Sequence, residues 1–418
     1  MRVWLVRDLE PTQIDEGSPR LLRAGMLSDA LARRGHETTW FTSSFNHYSR
    51  KHRPVGRFEP VPNLSVEVLS APGYEKNISL KRVLHNHRFG VSFRQAAMAA
   101  VERPDVIIAD LPTTEAASTA VAFGRLVGIP TIVTIRDLWP DFFSDFAPKL
   151  LKPLVRLGLW HLEAQSRFAC HHATSLVGIS QGYLDWGQKR GGRVDPLDRI
   201  FYLGYPRPSI APLAERERLL AQFNIPPTSY VVSFVGSWGA TYDLSLVLEA
   251  ARLLEGNESV TVVVAGDQGK NPDLADAFRR LTNVRLMGWL DKHQVSALLG
   301  RSTVGLLPYA ANAPQGLPNK IFEYMAYGLF QVATLPGEAR QLLEETCTGA
   351  FAPAGAAVDF AHSIDGAIKR EAHDDRRLER QAVFEQRFEA GQLYDAFIDH
   401  AEAVVHQWRL RTTSPQTR

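Results

Sequence analysis

The sequence predicts an α/β protein of two domains, each built on a parallel sheet with helices on both faces. Three observations predict this fold class. The chain has 418 residues, which suits two domains of ordinary size. Strand-like apolar runs alternate with helical patterns in both halves, as in parallel sheets. A Pro/Gly-rich stretch at residues 203–212 separates the halves, so we place the boundary at residue 205.

In the first half, the alternation begins with a βαβ pattern. Strands are predicted at residues 3–6, 38–42, 106–109 and 131–135, with a helix at 114–127. An earlier helix is expected to open with Ser18 as its cap and Pro19 at its first position, and to end at Gly35.

The second half repeats this alternation. Strands are predicted at residues 231–235, 260–265, 284–287, 304–307 and 330–334. Three helices lie between them, and we expect each to be capped by an aspartate: Asp243, Asp273 and Asp291. A long amphipathic pattern at residues 379–408 predicts one final helix.

The composition is that of a water-soluble globular protein, with 45% hydrophobic and 22% charged residues. A net charge of +2 gives no argument for nucleic-acid binding. Two distant cysteines, Cys170 and Cys347, favour a reducing cytosol over a disulfide framework. We see neither the apolar core of a signal peptide nor an apolar run long enough to span a bilayer.

The segment at residues 315–333, QGLPNKIFEYMAYGLFQVA, is the most informative part of the chain. Pro318 suits the first position of a helix, and Gly328 suits a left-handed end. One face reads as core, and it comprises Ile321, Phe322, Met325 and Ala326. Lys320, Glu323 and Tyr327 fall on another face.

That second face has the chemistry of a ligand site. Lys320 and the helix N-terminus would attract phosphate. Glu323 could accept two hydrogen bonds from a vicinal diol such as a ribose. A sugar nucleotide has both features, although an ordinary amphipathic helix has the same pattern.

The segments NKIFEYMAYG, at residues 319–328, and RDLWP, at residues 136–140, resemble glycosyltransferase family 4. The resemblance implies the GT-B fold, which is two facing Rossmann-like domains with parallel sheets and an interdomain cleft. The family has two glutamates in the donor-binding helix region. The second corresponds to Glu323, and Gln315 stands in place of the first.

The resemblance also implies the residues that bind the nucleotide-sugar donor: Gly17, Ser18, Gly236, Ser237, Trp238, Gly266, Trp289, Leu290, Gln315, Gly316, Leu317, Asn319, Lys320 and Glu323. Family members place two cations after the glycine that corresponds to Gly236. Here Ser237 and Tyr242 occupy those positions. Backbone N–H groups would have to compensate, or Lys320 would carry the main positive charge.

Lys320, Glu323, Arg136 and Asp137 are the expected catalytic residues. Arg136 stands where the family often has a histidine, and an arginine cannot act as a base because it stays protonated. It could bind a phosphate or an acceptor hydroxyl. Asp137 could orient the acceptor, or it could simply pair with Arg136 in a salt-bridged loop.

The implied activity is that of a retaining, metal-independent hexosyltransferase without a cofactor. It would move a sugar from a nucleoside-diphosphate donor to a glycan or lipid-linked acceptor in bacterial surface-polysaccharide synthesis. The implied location is the cytoplasm, with peripheral contact to the inner membrane face. Expected domains are 1–205 on the acceptor side, 206–385 on the donor side, a helix at 386–410 that crosses back, and a disordered tail at 411–418.

Three other functions stay open: a sugar-nucleotide epimerase, a non-catalytic GT-B subunit, and a dehydrogenase, which the missing G-x-G-x-x-G disfavours. His85 and His87 lack a third ligand at metal-binding spacing, so we expect no metal. Lys149, Lys152 and Arg156 recur at helical spacing among leucines. That pattern fits an interfacial helix on anionic lipid or a solvated amphipathic helix.

Overall fold

The computed structural model describes residues 1–17, 19–77, 79–141, 143, 150–313 and 316–413. The chain divides into two compact units. The first unit is Met1–Leu203 together with the residues from Gly391 on, and the second is Gly204–Ala390. The boundaries predicted from the sequence were residues 205 and 385.

The first unit is an eight-stranded sheet with helices between its strands. Its strands are β1 (Arg2–Val6), β2 (Glu37–Ser43), β3 (Gly56–Val61), β4 (Leu64–Leu69), β5 (Val106–Leu111), β6 (Thr131–Ile135), β7 (Ser175–Gly178) and β8 (Arg199–Ile200). Its helices are α1 (Arg23–Arg33), α2 (Leu80–Ala99), α3 (Thr114–Val127), α4 (Lys152–Gly158), α5 (Trp160–His172) and α6 (Gln181–Gly191). The strand order is β3-β4-β2-β1-β5-β6-β7-β8, and all neighbours are parallel except β3 and β4.

The second unit is a six-stranded parallel sheet. Its strands are β9 (Tyr230–Val235), β10 (Val260–Ala265), β11 (Val284–Gly288), β12 (Val304–Leu307), β13 (Phe330–Ala333) and β14 (Gly349–Phe351). Its helices are α7 (Leu213–Gln222), α8 (Leu244–Leu253), α9 (Pro272–Arg279), α10 (Lys292–Arg301), α11 (Asn319–Ala326), α12 (Glu338–Glu345), α13 (Ala357–His373) and α14 (Arg377–Arg387). The strand order is β11-β10-β9-β12-β13-β14.

The cores lie between each sheet and its helices. In the first unit, Trp4 of β1 stacks on Phe123 of α3 with ring centroids 5.6 Å apart. Trp4 also meets Phe41 edge-on at 5.1 Å. Such aromatic pairs stabilise beyond their buried area. The two α/β sheets, which are parallel except for the β3–β4 pair, confirm the predicted fold class.

Two of the three predicted aspartate caps are correct. Asp243 accepts the Leu246 N–H at 3.1 Å, and Asp291 forms a capping box with Gln294. The cap at Asp273 is wrong, because α9 begins two residues earlier in the chain. Asn271 caps that helix and accepts the Leu274 N–H at 3.3 Å.

Helix α1 begins at Arg23, later than the predicted cap at Ser18, which lies outside the described residues. The reason is a carboxylate from the preceding loop. Glu10 accepts the N–H of Ala24 at 2.7 Å, so it satisfies a first-turn donor that a local cap would otherwise take. Sequence spacing alone gives no signal for a partner 14 residues away.

The predicted final helix is two helices, α14 and α15 (Ala390–Thr413). Between them the backbone pairs with Tyr205: the Tyr205 N–H donates to Phe388 O at 3.1 Å, and the Ala390 N–H donates to Tyr205 O at 2.9 Å. Residues 411–413 of the expected disordered tail are helical, and residues 414–418 lie outside the described residues. No described helix, α15 included, is long and apolar enough to cross a bilayer.

Residues of α15 pack onto the first unit through an aromatic contact. Phe397 meets Phe201 edge-on at 5.1 Å, and the Arg23 guanidinium lies 5.7 Å from the Phe397 ring. His400, one turn further, is buried beside them. The Ser175 hydroxyl donates to Leu197 O at 2.7 Å, so it accepts the Nε2–H of a neutral His400 at 3.0 Å.

We expect His400 to weaken the first unit in mild acid. Burial lowers the pKa of His400 to about 4, against 6.5 for an exposed imidazole. Below pH 6.5 the unfolded chain takes up the proton first, so the free energy of unfolding falls until about pH 4. The full loss is about 3 kcal/mol. We expect urea unfolding between pH 7 and 4 to show that the free energy of unfolding falls less steeply with pH in His400→Gln than in the wild type. Equal slopes in the two proteins would show that His400 is not the cause.

Candidate functional site

Helix α11 buries one side in the second unit as predicted. Its core side chains are at most 4% exposed, and they are Ile321, Phe322, Met325 and Ala326. Pro318 is the residue just before the helix, one position earlier than predicted. Gly328 has φ +71°, the left-handed conformation that its position predicted. A Cβ there would lie 2.6 Å from Arg377 O, so only glycine fits.

The other side of α11 holds a nearly buried ion pair. Lys320 Nζ lies 3.4 Å from Glu323 Oε2, and the two side chains are 14% and 17% exposed. The Tyr205 hydroxyl donates to Glu323 Oε1 at 3.0 Å. Each carboxylate oxygen therefore has a partner, which fixes the carboxylate in one orientation.

Lys320 also lies on an aromatic face. Its ammonium is 5.4 Å from the Tyr324 ring centroid, within cation–π range. Burial opposes the charge, but Tyr324 and Glu323 outweigh it and raise the pKa of Lys320. Burial raises the pKa of Tyr324 itself to about 12. The site therefore keeps one cation at neutral pH.

Tyr324 links α11 to the end of β9. Its hydroxyl accepts the Val235 N–H at 3.3 Å, and Gly236 follows directly. Two further tyrosines lie at this edge: the hydroxyls of Tyr242 and Tyr309 are 3.2 Å apart, and Tyr242 interacts electrostatically with Lys320. Ligands of parallel sheets bind at this carboxyl edge.

The glycine turns after β9, β10 and β11 are joined by hydrogen bonds. The Gly236 N–H donates to Ala265 O at 3.1 Å, and the Gly266 N–H donates to Gly288 O at 2.7 Å. Gly266 has φ +142°, and a Cβ there would stand 2.0 Å from Gly236 O. The three turns can approach this closely only because residue 266 is glycine.

The predicted aromatic residues differ in exposure. Trp238 is 5% exposed and meets Phe278 edge-on at 5.8 Å, so it is a core residue of the second unit. Its buried indole N–H has no hydrogen-bond partner within the described part of the chain. Leu290 is buried, whereas Trp289 is 82% exposed. Only the exposed tryptophan is available to stack on a ligand in this conformation.

The remaining residues predicted to bind the donor differ in their exposure to solvent. Gln315 lies outside the described residues. Gly316 is partly exposed, and a Cβ there would lie 3.8 Å from Glu338 Oε2. Leu317 is buried, and Asn319 is exposed at the start of α11. Ser237 is also exposed, and it directly follows Gly236.

Arg136 lies in a second polar cluster, at the carboxyl edge of the first sheet. It forms ion pairs with Glu10 and Asp110, the latter at 2.8 Å. Arg7 approaches the same two carboxylates at 3.5 and 3.7 Å. Burial favours the neutral guanidine, but Glu10 and Asp110 outweigh it and raise the pKa of Arg136.

The suggestion that Arg136 pairs with Asp137 is wrong. Its ion-pair partners are Glu10 and Asp110 rather than Asp137, which is exposed. The protein atoms around Asp137 desolvate it and raise the pKa of its carboxyl. Gly17 is exposed in the loop after β1. Its companion in the predicted donor loop, Ser18, lies outside the described residues.

His85, which the sequence offered as a metal ligand, has other partners. It is fully buried, donates from Nδ1 to Pro72 O at 2.7 Å, and lies 3.2 Å from Asp8 through Nε2. Within the described ranges, no group of three His, Cys, Asp or Glu side chains is placed to hold a metal. His85 and Asn86 are therefore packed in the core of the first unit, whereas His87 is exposed.

Two family models match the chain, one within each unit. Residues 229–370 match "Glycosyl transferases group 1", and residues 22–201 match "Glycosyl transferase 4-like domain". The chain belongs to the GT-B glycosyltransferase family. The family resemblance of the segments at residues 319–328 and 136–140 is thereby confirmed. A comparison with curated proteins finds no match to this glycosyltransferase.

Solved structures agree on the fold. HepE from Anabaena, in complex with UDP, has a TM-score of 0.67 at 16% identity, over 96% of this chain and 100% of that one. Sucrose-phosphate synthase from Thermosynechococcus elongatus has a TM-score of 0.66 at 15% identity, over 97% and 99%. The lipopolysaccharide outer core galactosyltransferase WaaB has a TM-score of 0.60 at 16% identity, over 96% and 99%.

Several residues of the two polar clusters were not predicted from the sequence. Tyr324 could have been predicted, because it lies four residues after Lys320 on the same helix. Tyr205 and Tyr309 could not, since they come from distant loops. Glu10 was equally hidden: it lies 126 residues from Arg136 in the chain.

Proposed function

We propose that this protein transfers a hexose from a UDP-sugar to a glycan or lipid-linked acceptor, with retention at the anomeric carbon and without a metal ion. The observation that carries the proposal is the Lys320–Glu323 pair beside the glycine turns of the second sheet. HepE structures with UDP and with UDP-glucose support this choice of donor. WaaB, a lipopolysaccharide outer core galactosyltransferase, supports a role in surface-glycan synthesis. We propose that this role is carried out on the cytoplasmic side of the membrane.

In the proposed reaction, the bond between the anomeric carbon and the phosphate oxygen breaks. The acceptor hydroxyl oxygen bonds to the same face of that carbon, and its proton passes to the leaving phosphate. Negative charge grows on the diphosphate, and Lys320 is the buried cation that stabilises it. Glu323, already oriented by Tyr205, receives the ribose hydroxyls.

The role proposed for the first-unit cluster is acceptor binding. Arg136 is held by two carboxylates and stays protonated, so it binds an anionic or hydroxylated group and takes no proton. Asp137, exposed next to it with a raised pKa, orients the acceptor hydroxyl. Neither residue serves as a nucleophile.

A thermal-shift screen against UDP-, GDP- and dTDP-sugars tests the donor. Ligand that binds only the native state stabilises it by about 2.7 kcal/mol at about 100 times its Kd. We expect UDP-glucose and UDP-galactose to raise the unfolding temperature and GDP-mannose to leave it unchanged. Stabilisation by GDP-sugars alone would overturn the choice of UDP.

One observation favours a second candidate, a non-catalytic subunit that only binds a donor. Ser237 and Tyr242 stand where relatives carry the two diphosphate-binding cations, so Lys320 acts without them. Release of UDP from UDP-glucose, measured with and without lipid extract as acceptor source, separates the two. Turnover supports the enzyme, whereas binding without any turnover supports the subunit.

A further inference from the structure

Two arginines of the first unit lie beside one buried tyrosine. Arg50 belongs to the loop after β2, and Arg82 lies in the first turn of α2. Their guanidinium groups are 5.2 and 5.6 Å from the Tyr74 ring centroid, within cation–π range. Both also contact Asn77: Arg50 donates to its Oδ1 at 2.6 Å, and Arg82 donates to its main-chain O at 2.9 Å. We call Arg50 and Arg82 the arginine pair.

The positive charge of the arginine pair is not compensated by the protein. Neither arginine forms an ion pair with a carboxylate among the residues that the structure describes. Asp8 and Asp137 act on Arg82 through space, but at longer range than an ion pair. Asp8 is already hydrogen-bonded to two other side chains. Two like charges held on one residue repel each other, and a bound anion would relieve that repulsion.

The neighbouring cluster of Arg7 and Arg136 shows the contrast. There Glu10 and Asp110 supply one carboxylate for each cation, so the cluster is electrically balanced. The arginine pair has the same type of side chain without the carboxylates. Its counterion therefore has to come from outside this part of the chain.

The loop that carries Arg50 is held in one shape by its own hydrogen bonds. Phe45 and His52 pair across it as an antiparallel bridge. Asn46 accepts two N–H groups of the loop through its side-chain oxygen, and its carbonyl accepts the Arg50 N–H at 2.9 Å. A guanidinium on such a loop is preorganised, so a ligand does not have to order it.

A cleft of about 360 Å³ opens beside Arg50. Gly73 lines the cleft, and a Cβ there would lie 3.0 Å from two ring side chains, so a larger residue would not fit. The other two charged residues that line it, Lys81 and Glu75, pair with each other at 3.2 Å. Arg50 is therefore the charge of this cleft that is left for a ligand.

The arginine pair also lies close to the residue proposed to orient the acceptor. Arg82 interacts electrostatically with Asp137. His47, whose Nδ1 is 2.7 Å from the Tyr74 hydroxyl, is under the influence of both arginines. Burial, together with Arg82 and Arg50, lowers the pKa of His47 to about 4, so the imidazole adds no charge at neutral pH. An anion on the arginine pair and a hydroxyl on Asp137 can thus belong to one acceptor molecule.

We propose that the arginine pair binds an oxyanion of the acceptor, which is a phosphate or a carboxylate. The inference deepens the proposed function, on which it rests, by making the acceptor an anionic molecule. Guanidinium groups bind both kinds of oxyanion through paired N–H donors. Each arginine has five N–H donors, and the contacts to Asn77 and Tyr74 take only some of them.

Isothermal titration calorimetry of the full chain tests this subsite with three anions. The probes are glucose 6-phosphate, glucuronate and farnesyl diphosphate, and glucose is the neutral reference. We expect at least one anion to bind at least about tenfold more tightly than glucose. The anion that binds distinguishes a phosphorylated sugar, an acidic sugar and a lipid diphosphate as the acceptor chemistry.

Variants of the arginine pair assign the binding to these side chains. Arg50→Gln should weaken binding of that anion by at least about tenfold, as for a lost hydrogen bond to a charged group. Arg50 is exposed, so this variant should fold even if Arg82→Gln does not. The matched control is Arg94→Gln, which removes another exposed arginine of α2 and should keep wild-type affinity.

The outcomes separate this subsite from the donor site. Wild-type affinity of Arg50→Gln for the anions would overturn the proposal, and so would anions that bind no more tightly than glucose. Binding that only Lys320→Ala removes would also overturn it, because the anion would then lie at α11. Thermal shift by UDP-glucose, measured on the same samples, reports the donor site. Its absence with anion binding intact would refute the proposed function and leave the arginine pair as an anion site.

Discussion

Lys320→Ala is expected to reduce sugar transfer on the order of 10²- to 10³-fold, as for the loss of one preorganised donor to a developing negative charge. Lys320 is the buried cation of α11, its ammonium lies 3.4 Å from Glu323, and its pKa is raised. Because leaving-group charge grows in the transition state, kcat should fall more than the donor KM rises. Steady-state release of UDP from a UDP-hexose measures both.

A matched control exists in the same unit. Lys292 is the first residue of α10 and is exposed, so it too is a lysine in the first turn of a helix. Lys292→Ala should keep wild-type kcat and KM. Circular dichroism and the unfolding temperature should show that Lys320→Ala remains folded. Wild-type turnover by Lys320→Ala would remove α11 from the catalytic site.

Arg136→Met should destabilise the first unit by about 3 kcal/mol, since breaking a buried ion pair leaves uncompensated charge behind. Glu10 and Asp110, its two partners, are 2% and 8% exposed. Arg7 lies 3.5 and 3.7 Å from the same carboxylates, so the loss should fall at the low end of the usual range. Urea unfolding followed for each unit separately measures the effect.

The control for this prediction is an exposed ion pair. Arg167 pairs with Glu163 across one helical turn with its side chain 66% exposed, so Arg167→Met should cost less than about 1 kcal/mol. Adding Glu10→Gln and Asp110→Asn to Arg136→Met should recover part of the stability, because no unpaired charge then stays buried. Equal losses in the Arg136 and Arg167 variants would show that the cluster does not hold the fold.

The features that were predicted correctly are those that depend on residues close together in the sequence. The core side of α11, the left-handed Gly328 and the placement of Lys320 and Glu323 on one face follow from spacings within one helix. Alternation of strands and helices likewise predicted two sheets of mainly parallel strands. These features depend on residues a few positions apart, where sequence patterns carry information.

Features that depend on distant residues were missed or misplaced. Tyr205 reaches Glu323 across 118 positions, and Glu10 both pairs with Arg136 and satisfies the start of α1. The backbone of Tyr205 also splits the final helix in two. No local pattern encodes such contacts, because tertiary packing decides them.

The central claim is that α11 binds the diphosphate and ribose of a UDP-sugar. A crystal structure of the protein with UDP tests it most directly. The account predicts a phosphate oxygen within about 3 Å of Lys320 Nζ and ribose hydroxyls on the Glu323 carboxylate. UDP bound away from both side chains, with α11 unchanged and unoccupied, would contradict it.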